Sequence, residues 1–162
     1  MIRNLSILSS SGHSLVSAYF GECHSFGDDQ NLVTGFITAL HSMGQSLAGR
    51  GVDEIHLGPL HFVILSERDL LFAIAVEDEP PEDAKVSLTR IADLFLERYG
   101  PIVHDVREGD DLSMFQTFPN VLVELGLAKS SCGKYPECEG CPDSEKSLPM
   151  RQFIGRAGRT DD

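Results

Sequence analysis

Apolar and polar positions first follow a period of two. The run NLSILSS at residues 4–10 predicts a strand, and SLVSAYF at 14–20 sets Leu15, Ser17 and Tyr19 against Val16, Ala18 and Phe20. The SSGH turn between them predicts a hairpin. After the loop GECHSFGDDQ the period lengthens. Leu32, Phe36, Leu40, Met43 and Leu47 recur at helical spacing, so NLVTGFITALHSMGQSLAGRG predicts an amphipathic helix with that stripe turned into the core. Asp28 or Asp29 is the candidate N-cap, and Gly49 or Gly51 ends the helix.

Three further strands are expected at VDEIHL (52–57), LHFVILS (60–66) and LLFAIAVE (70–77). Gly58-Pro59 and residues 67–69 are short links, which force antiparallel neighbours because a parallel return needs a long crossover. The last of the three is apolar on both faces and is expected at the sheet centre. DEPPEDAKVSLTRIADLFLERYGP predicts a second helix, with Pro80 or Pro81 in its first turn, where the missing N–H is harmless. Glu77, Asp78, Glu79, Glu82 and Asp83 crowd its positive end, as the helix dipole favours. Its buried stripe is Leu88, Ile91, Ala92, Phe95 and Tyr99, and Gly100-Pro101 is expected to stop it.

PNVLVELGL (119–127) predicts a short third helix. Leu122, Val123, Leu125 and Leu127 offer more apolar surface than two turns usually hide, so this helix either caps a sheet edge or presents a patch to a partner. The expected architecture is α+β: a five-stranded antiparallel sheet in β-β-α-β-β-β-α order with helices packed on it. From Ala128 the periodicity dissolves into Ser, Lys, Gly, Pro and Cys. The expected division is a folded body at 1–127 and a Cys-containing appendage at 128–162.

The order and texture of residues 2–100 resemble the longin (profilin-like) domains: the turn SSSGHS, the long helix DQNLVTGFITALHSMGQSL, the meander VDEIHLGPLHFVILSERDLLFAIAVE and the closing helix ending LFLERYGP. The related roadblock domains begin with a helix, whereas this chain begins with a strand. The resemblance implies a non-catalytic role. Longin domains bind partner chains or serve as platforms for small GTPases, and they supply no catalytic residues to carry over. The implied partner is a small GTPase or another longin/roadblock-type chain, a homodimer included. A cysteine-bearing tail is not a standard feature of that family.

Charge narrows the partners. The chain of 162 residues has a formal net charge of −12. Residues 127–162 hold six Lys/Arg and six Asp/Glu, so the first 126 residues carry the whole excess. An acidic body disfavours nucleic acid and anionic membrane surfaces, both polyanions. No run approaches the roughly 18 apolar residues of a membrane span. The N-terminus lacks a secretory h-region, which points to the cytoplasm. Thiols there are usually reduced, so clustered cysteines suggest metal or redox chemistry before disulfides.

Those cysteines are the main candidates for chemistry. In SSCGKYPECEGCPDSEKS, Cys138 and Cys141 form a C-x-x-C turn with Gly140 inside it, and Cys132 lies upstream. Three thiolates leave one corner of a tetrahedral zinc site open. Cys23 or His24 fills it in one reading, His104 or an exogenous ligand in others. A zinc clip would fold a segment too poor in apolar residues to fold alone. An iron–sulfur cluster with one open site, a thiol-redox set or a disulfide, and incidental thiols remain the alternatives.

The other candidates are weaker. His56 and His61 flank Gly58-Pro59 and are placed to pair across that turn. Ser9, Ser10, Ser11 and His13 do not make a triad, since a base needs a third group to orient it. Asp105, Glu108, Asp110 and Asp111 lack calcium-loop spacing. A P-loop signature is absent, so the chain is not itself a P-loop GTPase.

Overall fold

The structure is a computed structural model that describes residues 1–20, 30–58, 60–77, 79–107, 109–130 and 139. Its elements are β1 (Ile2–Ser9), β2 (Ser14–Tyr19), α1 (Gln30–Ala48), β3 (Glu54–Leu57), β4 (Leu60–Glu67), β5 (Leu70–Glu77), α2 (Pro81–Val103), a 3-10 turn (Ser113–Thr117) and α3 (Phe118–Glu124). The five strands form one sheet in the order β2-β1-β5-β4-β3, antiparallel throughout. The fold is α+β, with the expected order of elements. Among the described residues no helix is long and apolar enough to cross a membrane.

The expectation of a central third meander strand holds. β5 lies between β1 and β4, and seven of its eight residues are buried. It is apolar on both faces because both are covered. On one face Leu5, Ile7, Phe72, Ile74 and Val76 meet α2, the 3-10 turn and α3. On the other, Leu8, Phe62, Ile64, Leu71, Ala73 and Ala75 meet Ile37 of α1.

α2 buries the predicted stripe of Leu88, Ile91, Ala92, Phe95 and Tyr99. Phe95 is the hub, with ring centroids 5.0 Å from Tyr99, 5.1 Å from Phe118 and 5.8 Å from both Phe72 and Phe115. Edge-to-face and tilted contacts of this kind suit the aromatic quadrupole. The predicted stop at Gly100-Pro101 is not observed: α2 continues to Val103. Pro101 lacks the N–H that would reach back to Glu97, an exposed residue, and crowds that carbonyl, while burial of Gly100 and Val103 holds the last turn down.

Of the four apolar residues in question near α3, Leu122 is buried, Val123 and Leu127 are partly buried against the core, and Leu125 stays 50% exposed. Phe115, Phe118 and Leu122 are fully buried, and Gln116 Nε2 donates to the Leu15 carbonyl of β2 at 3.2 Å. The segment closes the core beside edge strand β2. Gly126, at φ +70°, reverses the chain after α3, and Ala128 is still buried.

Candidate interaction surface

The largest departure from expectation is α1. Its stripe was expected in the core, yet Leu32 is 70%, Met43 52% and Leu47 80% exposed, and Phe36 is exposed as well. Ile37 is the one described α1 side chain that is buried. At 100° per residue, the centre of the stripe lies about a quarter of a turn from Ile37. The helix rests on Ile37, with Val33 partly buried beside it, above the small side chains of Ala73 and Ala75.

Two glycines fix that seating. A Cβ at Gly44 would come within 3.1 Å of Val52 Cγ2 and of the Arg50 carbonyl, so the link from α1 to β3 passes close under the helix. A Cβ at Gly51 would come within 1.9 Å of His41 Cε1. Bare backbone is needed there because an imidazole already occupies the space.

The exposed stripe leans toward the β3 end of the sheet. Phe36 meets Phe62 of β4 edge-to-face, with ring centroids 6.4 Å apart. The register sets Phe62 against Ile55 and Leu60 against Leu57, and all four share the face under α1. Leu57 is 47% exposed. A continuous apolar slope therefore runs from Leu47, Met43, Phe36 and Leu32 to Ile55 and Leu57. It ends at an edge strand that, among the described residues, pairs only with β4. Monomeric proteins rarely leave such a patch uncovered, and an open strand edge is itself a pairing template.

Electrostatics marks the same face. α1 has 19 residues and no Asp, Glu, Lys or Arg, in a chain of net −12. The one carboxylate within β3, Glu54, lies on the opposite face of the sheet, where Lys85 of α2 forms an ion pair with it. The hydrogen bond from Lys85 holds the Glu54 carboxyl below the usual range, and the Lys85 ammonium is raised in turn. Sequence reasoning placed the stripe correctly on one helix face and assigned that face to the wrong side. The available signal was the uncharged opposite face: without a lysine or glutamate there, nothing marks which side meets water.

The candidate metal ligands Cys23, Cys132, Cys138 and Cys141, and His24 with them, lie outside the described residues. His104 caps the C-terminus of α2 and is exposed. Among the described residues no group of three or more His, Cys, Asp or Glu side chains is arranged to hold a metal. Asp110 and Asp111 serve the local backbone: Asp110 Oδ2 accepts from Arg107 N–H, and Asp111 Oδ1 from Ser113 N–H. The Ser113 bond lowers the Asp111 pKa.

The β1–β2 turn forms a hydrogen-bonded chain, with Ser9 Oγ 2.8 Å from Ser11 Oγ and Ser11 Oγ 2.8 Å from His13 Nδ1. Ser9 Oγ also accepts from the His13 backbone N–H. These bonds close an exposed turn, and no carboxylate among the described residues hydrogen-bonds the imidazole. A polar cleft of about 150 Å³ lies between α1 and the strand ends, lined by Ser9, Thr38, His41, Ser42, Ser66 and Asp69 among others. It brings hydroxyls together with the His41 imidazole and the Asp69 carboxylate, and His41 Nδ1 is buried there without a hydrogen-bond partner. His56 and His61 do pair across their turn, as the spacing suggested.

No family model matches the chain, and no curated protein matches it in sequence.

Proposed function

We propose that this protein is a non-catalytic interaction module of longin-like type, whose docking face is the outer flank of α1 together with the β3 edge. The occupant is a second chain of the same fold, in the simplest case an identical copy. The observation that carries this reading is the exposure of Leu32, Phe36, Met43 and Leu47 on a helix without charge. Two chains of net −12 repel each other, and they approach best through faces that carry none of that charge. An isologous contact between two such faces buries both stripes, and β3 against β3 extends the sheet.

Sedimentation equilibrium tests it. The wild type is expected to dimerise. Met43→Glu/Leu47→Glu is expected to be monomeric and to lose the concentration dependence of the wild-type melting temperature, because only the dimer gains stability by mass action, while exposed positions themselves tolerate charge within about 0.5 kcal/mol. A wild type that stays monomeric at high concentration overturns self-pairing. In that case, protection of α1 from hydrogen exchange by an added small GTPase would identify the other occupant that the longin resemblance implies.

A further inference from the structure

The β3–β4 register sets His56 directly opposite His61. Their ring centroids are 4.2 Å apart with the planes inclined at 57°. The turn between them passes through Gly58 at φ +61°, which a residue without a side chain adopts freely. Both rings lie on the α2 side of the sheet, away from the apolar slope. The His56 side chain is 53% exposed, so solvent reaches the pair directly. Glu54 shares this face, and its Oε2 lies 3.5 Å from His56 Nε2.

Imidazole nitrogen is a borderline donor that suits copper, nickel and zinc and not magnesium or calcium. It binds such ions at about 2.0–2.1 Å, which places two nitrogens on one tetrahedral ion roughly 3.3 Å apart. Bonds of that length and angle set the two ring centroids about 5 Å apart, so the rings, at 4.2 Å, part by roughly 1 Å through rotation about χ1 and χ2 to share an ion. Glu54, Asp53 and Glu82 all act on the Lys85 ammonium, so carboxylates outnumber it around this part of the α2 face. Metal-bound histidines commonly donate their second ring N–H to a carboxylate, and Glu54 stands where it accepts one.

We propose that His56 and His61 form a cross-strand chelate for a divalent transition-metal ion at the β3 end of the sheet, with Glu54 orienting the His56 ring. Two protein ligands leave the other coordination positions to water. The chelate neither requires nor excludes the cysteines.

Nickel(II) alone is the probe, added in substoichiometric steps to the full reduced chain while the histidine ring resonances are followed by NMR. His56 and His61 are expected to broaden together, ahead of His13 and His104. His56→Gln is expected to remove the early broadening of His61, and His61→Gln that of His56. Glu54→Gln is expected to weaken the apparent affinity about tenfold with both rings still responding. Early broadening of one ring alone, or a response of His61 unchanged in His56→Gln, overturns the chelate. Nickel uptake that disappears only in Cys138→Ser/Cys141→Ser, without any early His56 or His61 response, overturns it too.

Discussion

Arg3 and Glu77 are tied together across the β1–β5 pair: Arg3 Nε and Nη2 both point to Glu77 Oε2, at 2.9 and 2.6 Å. Arg3 sits where the register slips between Ile2 and Asn4, so the irregularity aims a strand cation along the sheet surface. Its side chain is 7% exposed, and Nη1 is buried without a hydrogen-bond partner. The guanidinium therefore depends on one carboxylate oxygen.

Removing that carboxylate strands a buried charge. Glu77→Leu is expected to destabilise by about 3 kcal/mol, the low end for a broken buried pair, because Glu77 itself keeps a quarter of its side chain in water. Arg3→Met in the Glu77→Leu background is expected to recover most of the loss, since an apolar pair of similar volume replaces ions at little cost. Urea denaturation of the single and double variants reads both outcomes.

Gly51 and His41 give a second coupled pair. Gly51→Ala places a methyl where the His41 imidazole stands, a ring whose Nδ1 is buried without a hydrogen-bond partner. The ring must swing out, at an expected cost of about 1–3 kcal/mol. In the His41→Ala background the same substitution is expected to be nearly neutral. A double-mutant cycle by thermal melts would show this coupling, and additive effects would refute the steric account.

Glu54 and Lys85 give a pH signature. The folded pKa of Glu54 is depressed, chiefly by the hydrogen bond from Lys85. A carboxyl of this kind adds stability above its unfolded pKa and loses it as pH falls through the lower folded pKa. The contribution is thus complete at neutral pH and fades only in acid. Carboxyl NMR is expected to show Glu54 titrating below an ordinary glutamate and moving upward in Lys85→Ala. The pair is exposed, so the acid limb of the stability curve is expected to change little.

Period and turn chemistry made the sheet legible in the sequence. The link expected at residues 67–69 is the two-residue turn Arg68-Asp69, both at positive φ, because β4 runs on through Glu67. The apolar run at 70–77 declared a central strand because no polar face was present to signal an edge. α1 was misread for the opposite reason. Its two faces are both free of charge, and the side that packs is chosen by Ala73 and Ala75, which lie far along the chain. The 3-10 turn at Ser113–Thr117 gave little warning, since one buried phenylalanine is too short a period to read. The exposed apolar slope of α1 goes unread for the same reason that α1 was misplaced. The histidine pair was visible, because Gly58 between two strands fixes the residues on either side in register.

The order β2-β1-β5-β4-β3 also determines when the molecule becomes whole. The hairpins β1–β2 and β4–β5 each close locally, within a few residues of chain. The seam that joins them pairs Leu5 with Ile74 and Ile7 with Phe72, partners more than sixty positions apart. Closing so long a loop costs entropy before any contact rewards it, which places this seam at the slow step of assembly. Until it closes, the inner edges of β1 and β5 are both bare, apolar and complementary. A newly made chain is therefore most prone to associate wrongly, β5 of one molecule against β1 of another, in the interval before its own seam zips shut.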